Sequence, residues 1–211
     1  MFKIFPGVLD DARKAVFPKL TAFRHFGYLA GGTAIALQLN HRRSYDFDIF
    51  INREINAGFR RKVREVFGKN NYWYVDNSDQ ISFNTAEKVG VTFYWYQFKT
   101  IFPLVETEAI SLADLRDVSA DKAHTIGRRA MWRDYVDCYF FLKKGGNLGQ
   151  IISFAKKKFS GEFNAVLFLE QLVYFKDLEI MPIQYLEEAP PEKIIKNFLE
   201  EKVREYLKKM N

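Results

Sequence analysis

The chain has 211 residues, 48% of them hydrophobic and 27% charged, which suits one large domain or two small ones and argues against disorder. A single cysteine, Cys138, excludes a disulfide framework and fits a reducing compartment, and no apolar run approaches the ~20 residues of a membrane helix. The net charge of +6 is compatible with a phosphate-rich partner, and no secretory pattern marks Met1 to Pro6, so we expect a soluble, cytoplasmic protein with no membrane partner.

Asp10 and Asp11 open a helical pattern in which Ala15, Val16, Leu20 and Phe23 recur, the acids complementing the helix dipole and Pro18 kinking or dividing the helix. The short apolar run Phe26 to Ala30 meets Gly31-Gly32-Thr33, and Ala34 to Leu39 resume a helix-forming composition, giving strand, glycine turn and helix. A basic connector, His41-Arg42-Arg43-Ser44, leads to Tyr45 to Ile51. That segment alternates, so Asp46 and Asp48 share one strand face while Tyr45, Phe47 and Ile49 line the other. Phe59 to Phe67 reads as a basic amphipathic helix. Tyr72 to Val75, Ile81 to Asn84 and Val91 to Phe98 read as strands, the last two joined by a turn at Lys88-Val89-Gly90.

The texture changes after Pro103. Ser111 to Asp114 resembles a helix-capping box, periodic apolar residues run on to Leu142, and Gly145-Gly146-Asn147 stops the helix. Pro190-Pro191 starts the last helix, whose stripe is Ile195, Phe198, Leu199, Val203, Tyr206 and Leu207. The expected fold class is α+β, with a mixed sheet flanked by helices in residues 1–105 and an all-helical part in 106–211.

Two features carry chemistry. Carboxylates two positions apart on a strand lie roughly 7 Å apart on one face. That spacing suits a pair of divalent cations about 3.5–4 Å apart, which clamp the attacking and leaving oxygens of a phosphoryl or nucleotidyl transfer. Mg2+ (or Mn2+) favours such a site because it takes few carboxylates plus substrate phosphates. Gly31 and Gly32 stand at a strand-to-helix junction, where backbone N–H groups meet phosphate, and the Thr33 hydroxyl adds a donor. Taken singly, the acids also fit a solvated strand face and the glycines a tight turn.

A glycine pair followed by an Asp–apolar–Asp strand resembles the polymerase-β-type nucleotidyltransferase superfamily. Further on, Asp117, Lys122, Ile126 and Arg129 fit an acidic–lysine–apolar–arginine motif, and Asp134-Tyr135-Val136-Asp137 follows. Together these resemble the four motifs of the AbiEii/AbiGii toxin family of nucleotidyltransferases, which includes MenA-like toxins, over roughly Phe26 to Leu142. The resemblance implies nucleoside triphosphate bound by Gly31, Gly32, Thr33, Ser44, Lys122 and Arg129, metal on Asp46 and Asp48, and catalysis by Asp46, Asp48, Lys122 and Asp134. It implies that the helical part completes the site, that RNA, such as the 3′ end of tRNA, accepts the nucleotide, and that a cognate antitoxin restrains the protein.

On a helix, Arg129 would fall near the face of Lys122, and Asp134 would either act as general base or orient Lys122. The same residues also fit an internal ion-pair network, and Asp137 a surface pair with Arg133. Many superfamily members carry a third carboxylate on a later strand, but Val91 to Phe98 has none; its aromatic row either stacks a base or fills the core. Arg42-Arg43, Arg60-Arg61-Lys62 with Arg64, Lys143-Lys144 and Lys156-Lys157-Lys158 are either a polyanion groove or solvated faces. His124 reads as a surface or packed histidine, or a neighbour of Lys122, and Cys138 as buried and inert. The leading expectation is nucleotidyl transfer to RNA; the rivals are transfer to a small molecule or protein, and a non-catalytic nucleotide or RNA binder.

Overall fold

The computed structural model describes residues 4–69, 71–178 and 180–210; residues 1–3, part of the stretch read for a secretory signal, lie outside the described residues. The chain forms two compact units, Met1–Asp114 and Leu115–Asn211.

The first unit is built on a mixed sheet of β1 (Gly27–Ala30), β2 (Asp46–Ile51), β3 (Tyr72–Asp76), β4 (Gln80–Asn84) and β5 (Gly90–Trp95), ordered β1-β2-β5-β4-β3. Only β2 and β5 pair in parallel. Asp10 caps α1 (Asp11–Val16) by accepting from the Arg13 amide, and Pro18 turns the continuation into a 3-10 helix, Phe17–Phe23. α2 (Gly31–Leu39) begins at Gly31 itself, three residues earlier than Ala34, and closes on Asn40 in the left-handed conformation. Asn56 caps α3 (Ala57–Phe67).

Alternation divides the sheet into two faces. Phe47, Ile49, Val91, Phe93, Ile81 and Phe83 are fully buried on one, where Phe23 and Phe59 pack 4.6 and 5.1 Å from the Phe93 ring and Phe67 packs 5.2 Å from Phe83. Each such side chain contributes roughly 1.5–3 kcal/mol by burial. The other face carries Asp46, Asp48 and Phe50 on β2, with Thr92 opposite Asp48 and Tyr94 opposite Phe50 on β5. The expected aromatic strand to Phe98 stops at Trp95, because its parallel partner β2 ends at Ile51. The aromatic row therefore splits: Phe93 is core, Tyr94 is exposed, and Tyr96 and Phe98 leave the sheet.

Ser111 to Asp114 is not a capping box. The Ser111 carbonyl accepts from Leu29, Leu112 bridges both Leu29 and Val105, and Gln38 donates to the Ala113 carbonyl, so this segment belongs to the sheet unit. That is why the units divide after Asp114 and not at 105/106.

The second unit consists of α4 (Leu115–Ile126), α5 (Trp132–Lys143), α6 (Leu148–Phe159), α7 (Ala165–Leu172) and α8 (Glu192–Lys208), with a 3-10 turn at Ser160–Glu162. The continuous helix expected up to Leu142 is two helices, broken between Gly127 and Met131; the apolar period resumes in α5, so periodicity alone hides the break. Ile195, Leu199 and Val203 form the buried stripe of α8, while Leu207 is exposed in its final turn. Among the described residues no helix is long and apolar enough to cross a membrane.

Candidate active site

In the first unit β1 runs directly into α2. Because β1 pairs antiparallel with β2 and places Ala30 opposite Asp48, the first turn of α2 starts beside that carboxylate. Gly31 has φ +62°, and a Cβ there would stand 2.5 Å from Asp48 Oδ2, so both backbone and space require glycine. Gly90 lies opposite Asp46, where a Cβ would stand 2.5 Å from Asp46 Oδ1. Each carboxylate thus packs an oxygen into space that a glycine leaves.

Thr33 and Ser44 are buried. The Thr33 hydroxyl donates to the Asp46 carbonyl and lies 2.7 Å from Ser44 Oγ, tying the start of β2 to the first turn of α2. What α2 presents outward is its N-terminal N–H groups and the positive end of its dipole. Arg42 differs from its reading as part of a surface cluster: it is 3% exposed, Nη1 donates to the Arg43 carbonyl at 3.0 Å, and Nη2 lies 2.8 Å from the position of a Cβ on Gly32. A guanidinium therefore stands against the glycine elbow. The sequence signal was available, since the connector must return from the end of α2 to the strand next to its beginning.

Across the sheet, Thr92 on β5 faces Asp48, and its Oγ1 is 3.0 Å from Ser82 Oγ on β4, to which Gln80 donates at 2.8 Å. The Tyr74 hydroxyl joins Thr92 and Ser82; partial burial and then the Asp46 charge, with a smaller push from Asp48, raise its pKa above the ordinary value. A row of hydroxyls, Thr92, Ser82 and Tyr74, lies on the sheet face opposite Asp48.

The donor set fits a divalent cation. Two acids on one face, with glycine-made space beside each, supply the few carboxylates that Mg2+ or Mn2+ takes alongside phosphate oxygens. Among the described residues no group of three or more His, Cys, Asp or Glu forms a complete protein cage.

In the second unit Lys122 is buried on α4 and reaches two acids of α5, Asp134 Oδ1 at 2.6 Å and Asp137 Oδ2 at 2.8 Å. Arg129 is not on the helix of Lys122. It lies in the α4–α5 connection and forks onto Asp134, Nε to Oδ2 at 2.9 Å and Nη2 to Oδ1 at 3.2 Å. Burial alone would raise the Asp134 carboxyl; Lys122 and Arg129 outweigh it and hold that carboxyl below its usual range. Asp137 is fully buried and carries Lys122, so it is no surface partner of Arg133. A second buried network joins Lys158 to Asp121 at 2.8 Å and Asp117 at 3.2 Å, which removes Lys158 from any surface cluster. His124 stacks on Phe159 at 4.0 Å; burial, then Arg128, lowers its pKa to about 4. Cys138 is buried, its thiol pushed up to about 12 by burial and by Asp137.

A mixed sheet with a glycine elbow opening a helix beside paired strand carboxylates is the architecture of a nucleotidyltransferase. Residues 14–210 match the family model described as nucleotidyl transferase AbiEii toxin of type IV toxin–antitoxin systems, and the chain belongs to that family. It is 28% identical over 191 residues to an uncharacterized protein of Aquifex aeolicus (strain VF5), covering 85% of this chain and 87% of the relative. Among solved structures, a provisionally assigned nucleotidyltransferase from H. pylori is similar with a TM-score of 0.59 at 17% identity, covering 96% of this chain and 99% of the other. MenT4, a nucleotidyltransferase toxin from Mycobacterium tuberculosis H37Rv, is similar with a TM-score of 0.61 at 12% identity, covering 91% and 81%. These two likenesses concern the fold.

Proposed function

We propose that this protein transfers a nucleoside monophosphate from a nucleoside triphosphate to a hydroxyl of RNA, and that it acts as a toxin restrained by a cognate antitoxin. The observation that carries the reading is the close approach of Gly31 to the Asp48 carboxylate, which puts a helix start beside a strand acid and supports reading the first as the phosphate site and the second as the metal ligand. Asp46 and Asp48 would hold Mg2+ or Mn2+, which supplies charge neutralisation and polarisation of the phosphoryl oxygens when bound. The N–H groups at Gly31 and Gly32 and the Arg42 guanidinium bind phosphate oxygens, while Thr33 and Ser44 hold the elbow in place.

In the transfer, the acceptor hydroxyl oxygen bonds to the α-phosphorus, the bond to the bridging oxygen breaks, pyrophosphate leaves, and the hydroxyl proton passes to solvent. Lys122 and Arg129 enter by family resemblance as the cations that offset triphosphate charge. Asp134, gripping both, fits a positioning role better than that of a general base. The test is incubation with labelled triphosphates, Mg2+ and total RNA. We expect wild-type protein to label RNA and Asp48→Asn to fail; equal labelling by both would remove the assignment. The row of hydroxyls at Thr92 favours one rival, metal-dependent triphosphate binding without transfer, which the same assay would show as bound but unincorporated label.

A further inference from the structure

The same sheet face holds a second feature. Beyond Asp48 the face continues through Phe50, whose ring lies 4.1 Å from Tyr96, and Tyr96 lies 5.5 Å from Phe98. Tyr28 and Tyr94 flank Phe50 at 6.0 and 6.1 Å. This aromatic line ends in a cavity of about 450 Å³ lined by Tyr28, Tyr96 and Phe98 with Arg24, His25 and Lys99. Arg24, His25 and Lys99 are exposed at its mouth, and no acidic residue lines it. Ile51 and Asn52 at the end of β2 are part of its lining, three to four strand residues from Asp48, or roughly 10 Å along the strand.

We propose that this cavity takes an unpaired nucleotide of the acceptor RNA strand, its base against the aromatic rings and its two flanking phosphates against Arg24 and Lys99. Planar rings without hydrogen-bond selectivity, beside cations and away from carboxylates, are the chemistry of single-strand binding. Two separate cations in the lining, Arg24 and Lys99, favour a strand with successive phosphates over a lone nucleotide. Roughly 10 Å spans about three stacked nucleotides at 3.4 Å each, the reach of an upstream residue of the acceptor; the base of a reacting triphosphate reaches as far, and mononucleotide binding separates the two. The proposal rests on the reading of Asp46 and Asp48 as the transfer site, but its test does not use transfer.

The experiment measures binding of a fluorescein-labelled 12-nucleotide single-stranded RNA to the full chain by anisotropy, in EDTA, across a salt series. Phe98→Ala is expected to weaken binding about tenfold, the loss of one base stack. Arg24→Ala with Lys99→Ala is expected to reduce the slope of log affinity against log salt by about 1.4, two phosphate contacts on a single strand. Arg61→Ala with Arg64→Ala, the same loss of two charges on α3, is expected to change affinity less than twofold. Unchanged affinity and slope in the cavity variants overturn the proposal, as does weakened binding of a mononucleotide with unchanged binding of the oligonucleotide. A 4-thiouridine oligonucleotide provides a second readout: crosslinks to the peptide around Tyr96 and Phe98 are expected, and crosslinks confined elsewhere overturn it. Should Asp48→Asn retain full transfer, the transfer-site reading falls on that result alone, whatever the binding data show.

Discussion

A Cβ on Gly31 would lie 2.5 Å from Asp48 Oδ2, closer than two such atoms ever approach, and Gly31 itself has φ +62°. Gly31→Ala must therefore both strain the backbone, by roughly 1–2 kcal/mol, and displace the carboxylate. We expect a lower melting temperature together with loss of RNA labelling. Asp48→Asn keeps the shape of the side chain and removes its charge, so labelling is expected to fall at least about a hundredfold with little change in melting. Thermal melts run alongside the labelling assay check both; an active Gly31→Ala protein would mean that the elbow does not shape the site.

Lys122 invites a misreading that its partners forestall. It neutralises Asp134 and Asp137, both essentially inaccessible to solvent. Removing one member of a buried charge cluster costs about 3–5 kcal/mol, because the others are left uncompensated. At 2–4 °C per kcal/mol for a chain of this size, Lys122→Ala is expected to melt about 6–20 °C lower than wild type. Loss of activity in that variant alone says little about chemistry. Adding Asp137→Asn to Lys122→Ala removes one of the stranded charges and is expected to recover part of the melting temperature without recovering labelling. Recovery of labelling would reduce Lys122 to a structural role.

The elements nearest the site were legible because they obey local rules. Alternation in Asp46-Phe47-Asp48-Ile49 sorted the strand faces, and the glycine pair marked the strand-to-helix junction. What escaped was set by distant contacts. The bridges of Leu112 to Leu29 and Val105 turned a capping box into an edge of the sheet unit, and the α4–α5 break is invisible to a helical period that resumes on its far side. Buried charges were hardest to see. Arg42, Asp137 and Lys158 look like surface residues until the fold supplies a counter-charge or a carbonyl, and a sequence shows the charge but not the partner.

Thr92 provides a test of the absent third carboxylate. It faces Asp48 across the parallel β2–β5 pair and bonds to Ser82. Thr92→Asp would set a third acid on the face of Asp46 and Asp48. We expect Mn2+ affinity, measured by calorimetry on the apo protein, to rise about tenfold, at a cost of about 1 kcal/mol for the broken hydroxyl row. Unchanged Mn2+ affinity would show that the two native acids and substrate phosphates already satisfy the metal.

His124 makes stability depend on pH between about 6.5 and 4. Its pKa falls from 6.5 to about 4 in the fold, chiefly by burial and then through the charges of Arg128 and Lys158, which outweigh the hydrogen bond to the Glu162 backbone. A histidine with a lowered folded pKa is neutral in the native state, so between about pH 6.5 and 4 the unfolded chain binds the extra proton. Its contribution is fully present above pH 6.5 and is lost as pH falls toward 4. The shift corresponds to about 3 kcal/mol, reduced to about 1–2 kcal/mol for a half-buried ring screened by solvent. Asp134, whose pKa is lowered, titrates below this window, since its contribution is lost only as pH drops beneath the ordinary carboxyl range. Wild-type melting temperature is therefore expected to fall by about 2–8 °C between pH 6.5 and 4. His124→Phe keeps a ring on Phe159 and cannot titrate, so its melting profile is expected to be flatter over that interval. Parallel profiles for the two proteins would assign the acid sensitivity to other groups.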